Sequence, residues 1–131
     1  MSESSVETVS RLYERVSAGG VEAAIELMAD DFVATVPPSM SAEPDSYEGH
    51  DGVRRYFAGF EGLIDDVRFE PIEIVEEGDA VIVWLRFSGR GAASGVDVAQ
   101  FAAVAHRLRD GKVTWMEAHP DMDAARAALA G

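Results

Sequence analysis

The stretch VDVAQFAAVAHRLRDGKVTWMEAH, residues 96–119, decides the fold, because it contains two strand patterns on either side of one turn signal. Apolar and β-branched residues lead up to Asp110-Gly111, a dipeptide typical of tight hairpin turns, and a second run follows it. Strands joined by so short a turn must be antiparallel. The stretch therefore predicts a β-hairpin that carries two of the chain's three histidines.

Alternation along the first strand of this hairpin separates an apolar face from a mixed one. The apolar face has two polar groups, Gln100 and His106, and we expect it to line a pocket. Its other members are Val96, Val98, Ala102, Val104 and Leu108. His106 is the best candidate for catalysis, because a histidine titrates near neutrality and can act as general acid or base. The alternative is a histidine at the open end of the pocket, bonded to water or backbone.

The position of Glu117 depends on the register of the hairpin. A two-residue turn pairs Arg109 with Lys112 and brings Glu117 onto the face of His106, where the two would form an acid–base pair. A three-residue loop pairs Leu108 with Lys112 and turns Glu117 to the opposite face. Burying an ionised glutamate among valine and alanine side chains is costly unless it is paired. The three-residue loop is therefore favoured.

In that register the opposite face of the hairpin collects an apolar strip that a monomer would expose to water. Its members are Phe101, Ala103, Ala105 and Trp115. Apolar strips of this kind mark interfaces, and a two-fold sheet-to-sheet contact would cover this one. We expect a homodimer whose interface contains Phe101, Ala103 and Trp115.

The rest of the chain places helices before the hairpin and strands beside it. In chain order the patterns are a helix ending at Gly19, a short helix over 21–31, a strand over 32–36, a polar loop over 37–49, a helix from Asp51, and strands over 67–77 and 80–90. The alanine-rich tail, 120–131, is expected to add a helical turn and is too short to be stable alone. Three helices followed by a meander predict one α+β domain, residues 1–131, with the helices on one face of a curved antiparallel sheet.

The second of these meander strands leaves one orientation open. Trp84 and Arg86 alternate with the fully apolar set Val81, Val83, Leu85 and Phe87. An inward Arg86 would clamp an anion or a carbonyl group, but the apolar set favours an outward arginine.

Composition excludes several classes of partner. The formal charge of −13 opposes binding to nucleic acid or to an anionic membrane. The chain has no cysteine, and neither a signal peptide nor a membrane-spanning run is predicted. We therefore expect a cytoplasmic protein without a cofactor, and the ratio of ten arginines to one lysine with no asparagine suggests a bacterial one. No metal site is expected, because His119 with Asp121 and Asp123 is explained by a strand end followed by helix-capping aspartates. Its expected partner is a small apolar or neutral ligand.

Three motifs carry a resemblance to a known family: LMADDFVATVPP at 27–38, YEGHDGVRRYF at 47–57 and RLRDGKVTWMEAHPD at 107–121. With the order of elements, they resemble the SnoaL-like branch of the nuclear transport factor 2 superfamily over nearly the whole chain. The resemblance implies a cone-shaped, cystatin-like α+β barrel that encloses one apolar pocket, commonly in a homodimer. Its members include ketosteroid isomerases, polyketide cyclases, limonene epoxide hydrolases and non-catalytic binding domains, so the fold leaves the reaction open.

The acidic and phenolic positions that these enzymes use transfer onto apolar residues here. The isomerase base falls on Val36, and the second acid of isomerases and cyclases falls on Val104. The isomerase phenol falls on Leu12, one residue before Tyr13, and the epoxide hydrolase aspartate falls on Ala118. The resemblance therefore implies a member without the known catalytic acids.

The expected pocket combines the apolar hairpin face with residues placed by the resemblance. It is lined by Tyr13, Phe32, Val36, Tyr56, Phe60, Gln100, Ala102, Val104, Met116 and Ala118. The first hypothesis is a domain that binds a small molecule in this apolar cone. The second is an isomerase, cyclase or epoxide hydrolase acting through His106 with a tyrosine or an ordered water, and the third is a dimeric scaffold with a filled cone.

Overall fold

The computed structural model describes residues 5–36, 45–61 and 64–130. The helices are α1 (Ser5–Gly19), α2 (Val21–Ala24), which a 3₁₀ turn over Ile25–Leu27 follows, α3 (Gly49–Glu61) and α4 (Met122–Ala130). The strands are β1 (Met28–Val36), β2 (Asp45–Glu48), β3 (Ile64–Glu77), β4 (Ala80–Gly91), β5 (Asp97–Arg109) and β6 (Lys112–His119). The α+β class with a curved sheet is confirmed.

The six strands form one sheet in the order β2-β1-β6-β5-β4-β3. Every neighbouring pair is antiparallel except β1 and β6, which run parallel, with Ala34 opposite Met116. The expected all-antiparallel sheet is wrong at this one place. The physical reason is that β1 and β6 are separated by most of the chain, so no short turn imposes an antiparallel pairing on them.

The inner face of the sheet packs against α1 and α3. On α1 the apolar positions Val9, Leu12, Tyr13 and Val16 recur at helical spacing and all are buried. On the sheet, the same core continues through alternate residues of the central strands. The buried strand members of this core are Met28, Phe32, Ala34, Phe69, Val81, Val83, Leu85, Ala102, Val104, Val113 and Met116. This face forms the interior of the cone.

The outer face of the sheet is partly covered by α4. Asp121 caps this helix by accepting a hydrogen bond from the backbone N–H of Ala124 at 2.8 Å. Beneath the helix lie two small residues, Ala103 and Ala105, both 0% exposed, which let Ala125 approach closely. The tail thus covers much of the strip that was expected to face a second subunit, and Ala103 is already buried within its own chain.

Two boundaries before α3 differ from the expected ones. The short helix was expected to run through Met28, but that residue begins β1 and is 1% exposed. His50 of α3 fixes this start, because its Nε2–H donates to the carbonyl oxygen of Met28 at 2.9 Å. The loop predicted over 37–49 contains β2, which pairs with β1; its residues 37–44 lie outside the described part. Backbone pairing outweighs the polar composition of β2.

The glycines of the YEGHDG motif explain how β2 turns sharply into α3. Gly49 has a φ of 68°, in the left-handed region that glycine adopts without strain. At Gly52, a side chain would bring its Cβ within 2.7 Å of the carbonyl carbon of Tyr47. The motif is therefore required for the close passage of β2 over the first turn of α3.

Candidate functional site

The β5–β6 hairpin turns through two residues. Arg109 lies opposite Lys112, and the two residues between them, Asp110 and Gly111, have φ angles of 53° and 77°. Positive φ at both central positions is typical of the type I′ hairpin turn. The favoured three-residue loop is therefore wrong.

A β-bulge then resets the register of the hairpin. Between the pairs Leu108–Val113 and Arg107–Trp115 one extra residue, Thr114, stands on β6. Its hydroxyl donates to the carbonyl oxygen of Arg107 at 3.2 Å.

Beyond the bulge, His106 lies opposite Met116 and Ala105 lies opposite Glu117. Because side chains alternate, Glu117 points to the outer face. This orientation is the one expected from the sequence, but it results from a bulge rather than from a three-residue loop. His106 and Glu117 do not meet.

His106 instead bonds with Tyr13 in the interior of the cone. Its Nδ1 lies 3.2 Å from the carbonyl oxygen of Val81, and its Nε2 lies 2.7 Å from Oη of Tyr13. Since a carbonyl oxygen only accepts, Nδ1 carries the proton and donates it to Val81, and Nε2 accepts from the tyrosine hydroxyl. His106 is 0% exposed and Tyr13 is 1% exposed, so the pair is closed to solvent.

Burial decides the charge of both groups. It lowers the pKa of His106 to about 4, against the opposing effect of its hydrogen bonds with backbone groups of Val81 and Val104. Burial also raises the pKa of Tyr13 well above 10, with a smaller contribution from Tyr56. At neutral pH both members are uncharged, and neither readily takes or gives a proton.

The described members of the expected pocket lining divide into three groups by exposure. Those 4% exposed or less are Tyr13, Phe32, Ala102, Val104 and Met116. Tyr56 and Ala118 are partly buried against them, and Gln100 is exposed. The side chains of Val36 and Phe60 lie outside the described residues. The first group packs against itself, so the described floor of the cone is filled with side chains.

A second polar cluster lies on the outer face, beside the hairpin. Thr35 of β1 donates its hydroxyl proton to Oε2 of Glu117. His119 Nε2 lies 2.8 Å from the other carboxylate oxygen, yet the two atoms are not aligned for a hydrogen bond. The side chains of Glu117 and His119 are 20% and 9% exposed. Glu117 thus has partners of its own, away from His106.

An open cleft of about 570 Å³ lies at one end of β3, β4 and β5. Its lining is mainly polar: Ser17, Asp66, Val67, Arg68, Arg86, Ser88, Gly89, Arg90, Asp97 and Val98. The sequence interpretation missed it, apart from the possibility that Arg86 clamps an anion. The available signal was the alternation of Arg86, Ser88 and Arg90 on one side of a strand whose other side is apolar. We call this feature the arginine cleft.

The described residues place further limits on the chemistry. No group of three or more histidine, cysteine, aspartate or glutamate side chains within them is arranged to hold a metal ion. In the same part of the chain, no helix combines the length and apolar character needed to cross a bilayer.

Comparison with known proteins places the chain in a family. Residues 9–116 match the SnoaL-like domain, so the chain belongs to the SnoaL-like family. No curated protein matches the sequence. The predicted family and fold are confirmed, and the family supports a domain that binds small molecules.

Solved structures with the same fold cover nearly the whole chain. A protein with a ketosteroid isomerase-like fold from Catenulispora acidiphila, in complex with trimethylamine, is 16% identical with a TM-score of 0.75, covering 95% of this chain and 92% of that one. TerC, co-crystallised with polyporic acid, is 23% identical with a TM-score of 0.75, covering 96% and 98%. A putative SnoaL-like polyketide cyclase from Jannaschia is 21% identical with a TM-score of 0.74, covering 100% and 98%. At these identities the likeness shows the fold alone.

Proposed function

We propose that this chain is a small-molecule-binding domain that holds its ligand in the arginine cleft and performs no acid–base chemistry through His106. The observation that carries the proposal is the distribution of space around the sheet. The described floor of the cone is filled by side chains, whereas the arginine cleft is open and has a volume of about 570 Å³. Ligand sites commonly enclose about 300–1,000 Å³.

The Tyr13–His106 pair supports the non-catalytic part of the proposal. A general base must reach the proton that it removes, and both members are sealed inside the core. Both ring nitrogens of His106 are already engaged, and the lowered pKa makes its imidazole a weak base. The pair serves to satisfy two buried polar groups and to join α1 to β5.

Methyl NMR tests where a ligand binds, because each site has its own reporters. Val98 lines the arginine cleft, Val67 lines it as well but also packs against the core, and Val104 and Met116 lie in the cone. Titration with a mixture of small aromatic and aliphatic compounds is expected to shift the methyl signals of Val67 and Val98. Shifts confined to Val104 and Met116 would move the ligand into the cone and overturn the proposal.

A second candidate keeps the ligand in the apolar cone, with His106 and Tyr13 as an acid–base pair of an isomerase, cyclase or epoxide hydrolase. The 2.7 Å bond between them favours it, because it places two titratable groups together within a mainly apolar part of the described interior. This enzyme would have to displace core side chains to admit its substrate. Its test is turnover of a steroid enone, a polyketide or an epoxide: activity lost in His106→Gln with ligand affinity retained would support it.

We further propose a homodimer. Its interface is the part of the outer sheet face that α4 does not cover, around Phe101 and Trp84. Phe101 is 48% exposed and stacks on Trp84, with ring centroids 5.5 Å apart. Light scattering is expected to give the mass of a dimer, and Phe101→Asp is expected to give a monomer. A dimer with a filled cone and an empty cleft would instead favour the scaffold hypothesis.

The cytoplasmic, bacterial setting stays a prediction of the sequence.

A further inference from the structure

The three arginines of the cleft converge on one point of the sheet. Ser88 of β4 has Arg86 and Arg90 two residues away on either side, on the same face. Arg68 of β3 lies directly opposite Ser88 in the register. It is therefore a diagonal neighbour of the other two arginines, at about 7–8 Å between backbone positions. Three guanidinium groups can reach the space above Ser88.

These three arginines differ in how well their charges are compensated. Arg86 forms an ion pair with Glu70 at 2.9 Å. Arg90 lies 3.9 Å from Asp97, a carboxylate that is 97% exposed, so this pair is loose. The side chain of Arg68 has no hydrogen bond or ion pair with any residue in the described part of the chain. Like charges that lie near each other on one face of a sheet repel. The cluster therefore leaves cationic charge that an added anion would neutralise.

The serines of the cleft differ in whether they can contact a ligand. Ser17 has its hydroxyl engaged on the edge of β3, where it donates to the carbonyl oxygen of Phe69 at 3.1 Å and accepts from its N–H at 2.9 Å. The Ser88 hydroxyl accepts a long bond from Arg86 at 3.4 Å and keeps its own proton. Ser88 can thus donate to an anion held by the arginines, while Ser17 only shapes the wall.

We propose that the arginine cleft selects a small organic carboxylate, held by Arg68, Arg86 and Arg90 with Ser88 as an additional donor; this inference rests on the proposed function. Guanidinium groups match carboxylates in planar, two-point geometry. Asp66 and Asp97 line the same cleft and Glu70 pairs with Arg86, so the three arginines are matched by three carboxylates. The cationic charge open to a ligand is therefore chiefly that of Arg68, which suits one negative charge better than the two of phosphate. The cleft is much larger than a carboxylate group, so the anion carries an organic body.

The test compares benzoate with its neutral analogue benzamide at low ionic strength, with the methyl signals of Val67 and Val98 as the readout. We expect benzoate to bind at least about tenfold more tightly than benzamide, which is the effect of one charge-assisted contact. Arg68→Gln should weaken benzoate about tenfold, and Ser88→Ala should weaken it by a few fold. Arg54→Gln is the matched control, because it removes the same charge from an exposed ion pair on α3 and should leave benzoate affinity unchanged.

Each outcome separates this inference from the proposed function. Benzamide binding as tightly as benzoate in the wild-type cleft, or Arg68→Gln matching wild type, would overturn carboxylate selection while the cleft stays a ligand site. Carboxylate selection is also overturned if the compound mixture shifts the methyl signal of Val98 and benzoate does not. Inorganic phosphate binding more tightly than benzoate would overturn the choice of a singly charged ligand. If all probes shift Met116 and none shifts Val98, the proposed function fails, and the inference fails with it.

Discussion

His106 and His119 lie on neighbouring strands of one hairpin, yet their surroundings are opposite. His106 is 0% exposed and has a hydrogen bond on each ring nitrogen. The His119 side chain is 9% exposed and its Nε2 lies 2.8 Å from a carboxylate oxygen of Glu117, without a hydrogen bond. The first is a neutral part of the interior, and the second lies beside a carboxylate on the outer face. One residue type thus serves two purposes within fourteen positions.

The difference follows from alternation and from one bulge. In a regular hairpin the turn alone would decide whether residues 106 and 119 point to the same face of the sheet. The extra residue at Thr114 shifts the pairing by one, so every later side chain of β6 points to the face opposite the one that the turn implies. Without that extra residue, Glu117 would share the face of His106. The comparison shows that a backbone irregularity, rather than the polar residues themselves, prevents an acid–base pair from forming in the cone.

Truncating each histidine is the strongest test of this comparison. His106→Ala leaves a cavity in the core and leaves the buried hydroxyl of Tyr13 without a hydrogen-bond partner. We therefore expect a loss of about 3–5 kcal/mol in the free energy of unfolding. His119→Ala removes a side chain whose Nε2 has no hydrogen bond and which lies beside a partly exposed carboxylate, so we expect a loss of about 1–2 kcal/mol. Urea denaturation at pH 7 measures both. Equal losses would contradict the assignment of the two environments.

The pH dependence of stability tests the charge of His106. Its pKa in the folded chain is about 4, against 6.5 for the ordinary group, so the unfolded chain binds more protons between these values. Stability therefore falls as the pH decreases from 6.5 towards 4, by roughly 3 kcal/mol in total. The difference in unfolding free energy between wild type and His106→Gln, measured across this range, isolates the contribution from that of the carboxylates. A difference independent of pH would show that His106 titrates normally.

The sequence predicted the elements of the fold well, because their signals are local. Helix α1 has apolar residues at helical spacing up to Gly19, and the strands after α3 are separated by glycine-containing turns. Less local features were wrong. The parallel pairing of β1 with β6 has no signal in either strand, and the start of β1 at Met28 depends on contacts with β6 and His50.

The candidate site was harder to predict than the fold. The approach of Tyr13 to His106 joins residues 93 positions apart, and only packing of α1 on the sheet sets it. The sequence suggested a tyrosine as a partner of His106 but could not show that both would be sealed. The arginine cleft needs the register of β3 on β4, which places Arg68 beside Ser88, and the bulges in β3 hide that register from a count along the sequence.

Removing one hydroxyl group sharpens the description of the inner pair. Tyr13→Phe keeps the ring in the core and leaves Nε2 of His106 without its donor, so we expect a loss of about 1–3 kcal/mol. Leu12→Met is a matched control for a volume-conserving change on the same helix, with an expected loss below about 1.5 kcal/mol. A Tyr13→Phe variant as stable as wild type would mean that water or a rearranged histidine replaces the bond.

The smallest effect is expected on the outer face. Thr35→Val removes the hydroxyl that donates to Glu117 but keeps the branched shape that suits a strand. Because the carboxylate is partly exposed, water can replace the lost donor, and we expect a loss of about 0.5–1.5 kcal/mol, below that of Tyr13→Phe. The ratio of the two losses, from parallel urea denaturation curves, measures how much burial strengthens a single hydroxyl contact. A larger loss at Thr35 would mean that the outer cluster is more enclosed than in the single chain, as a second subunit on this face would make it.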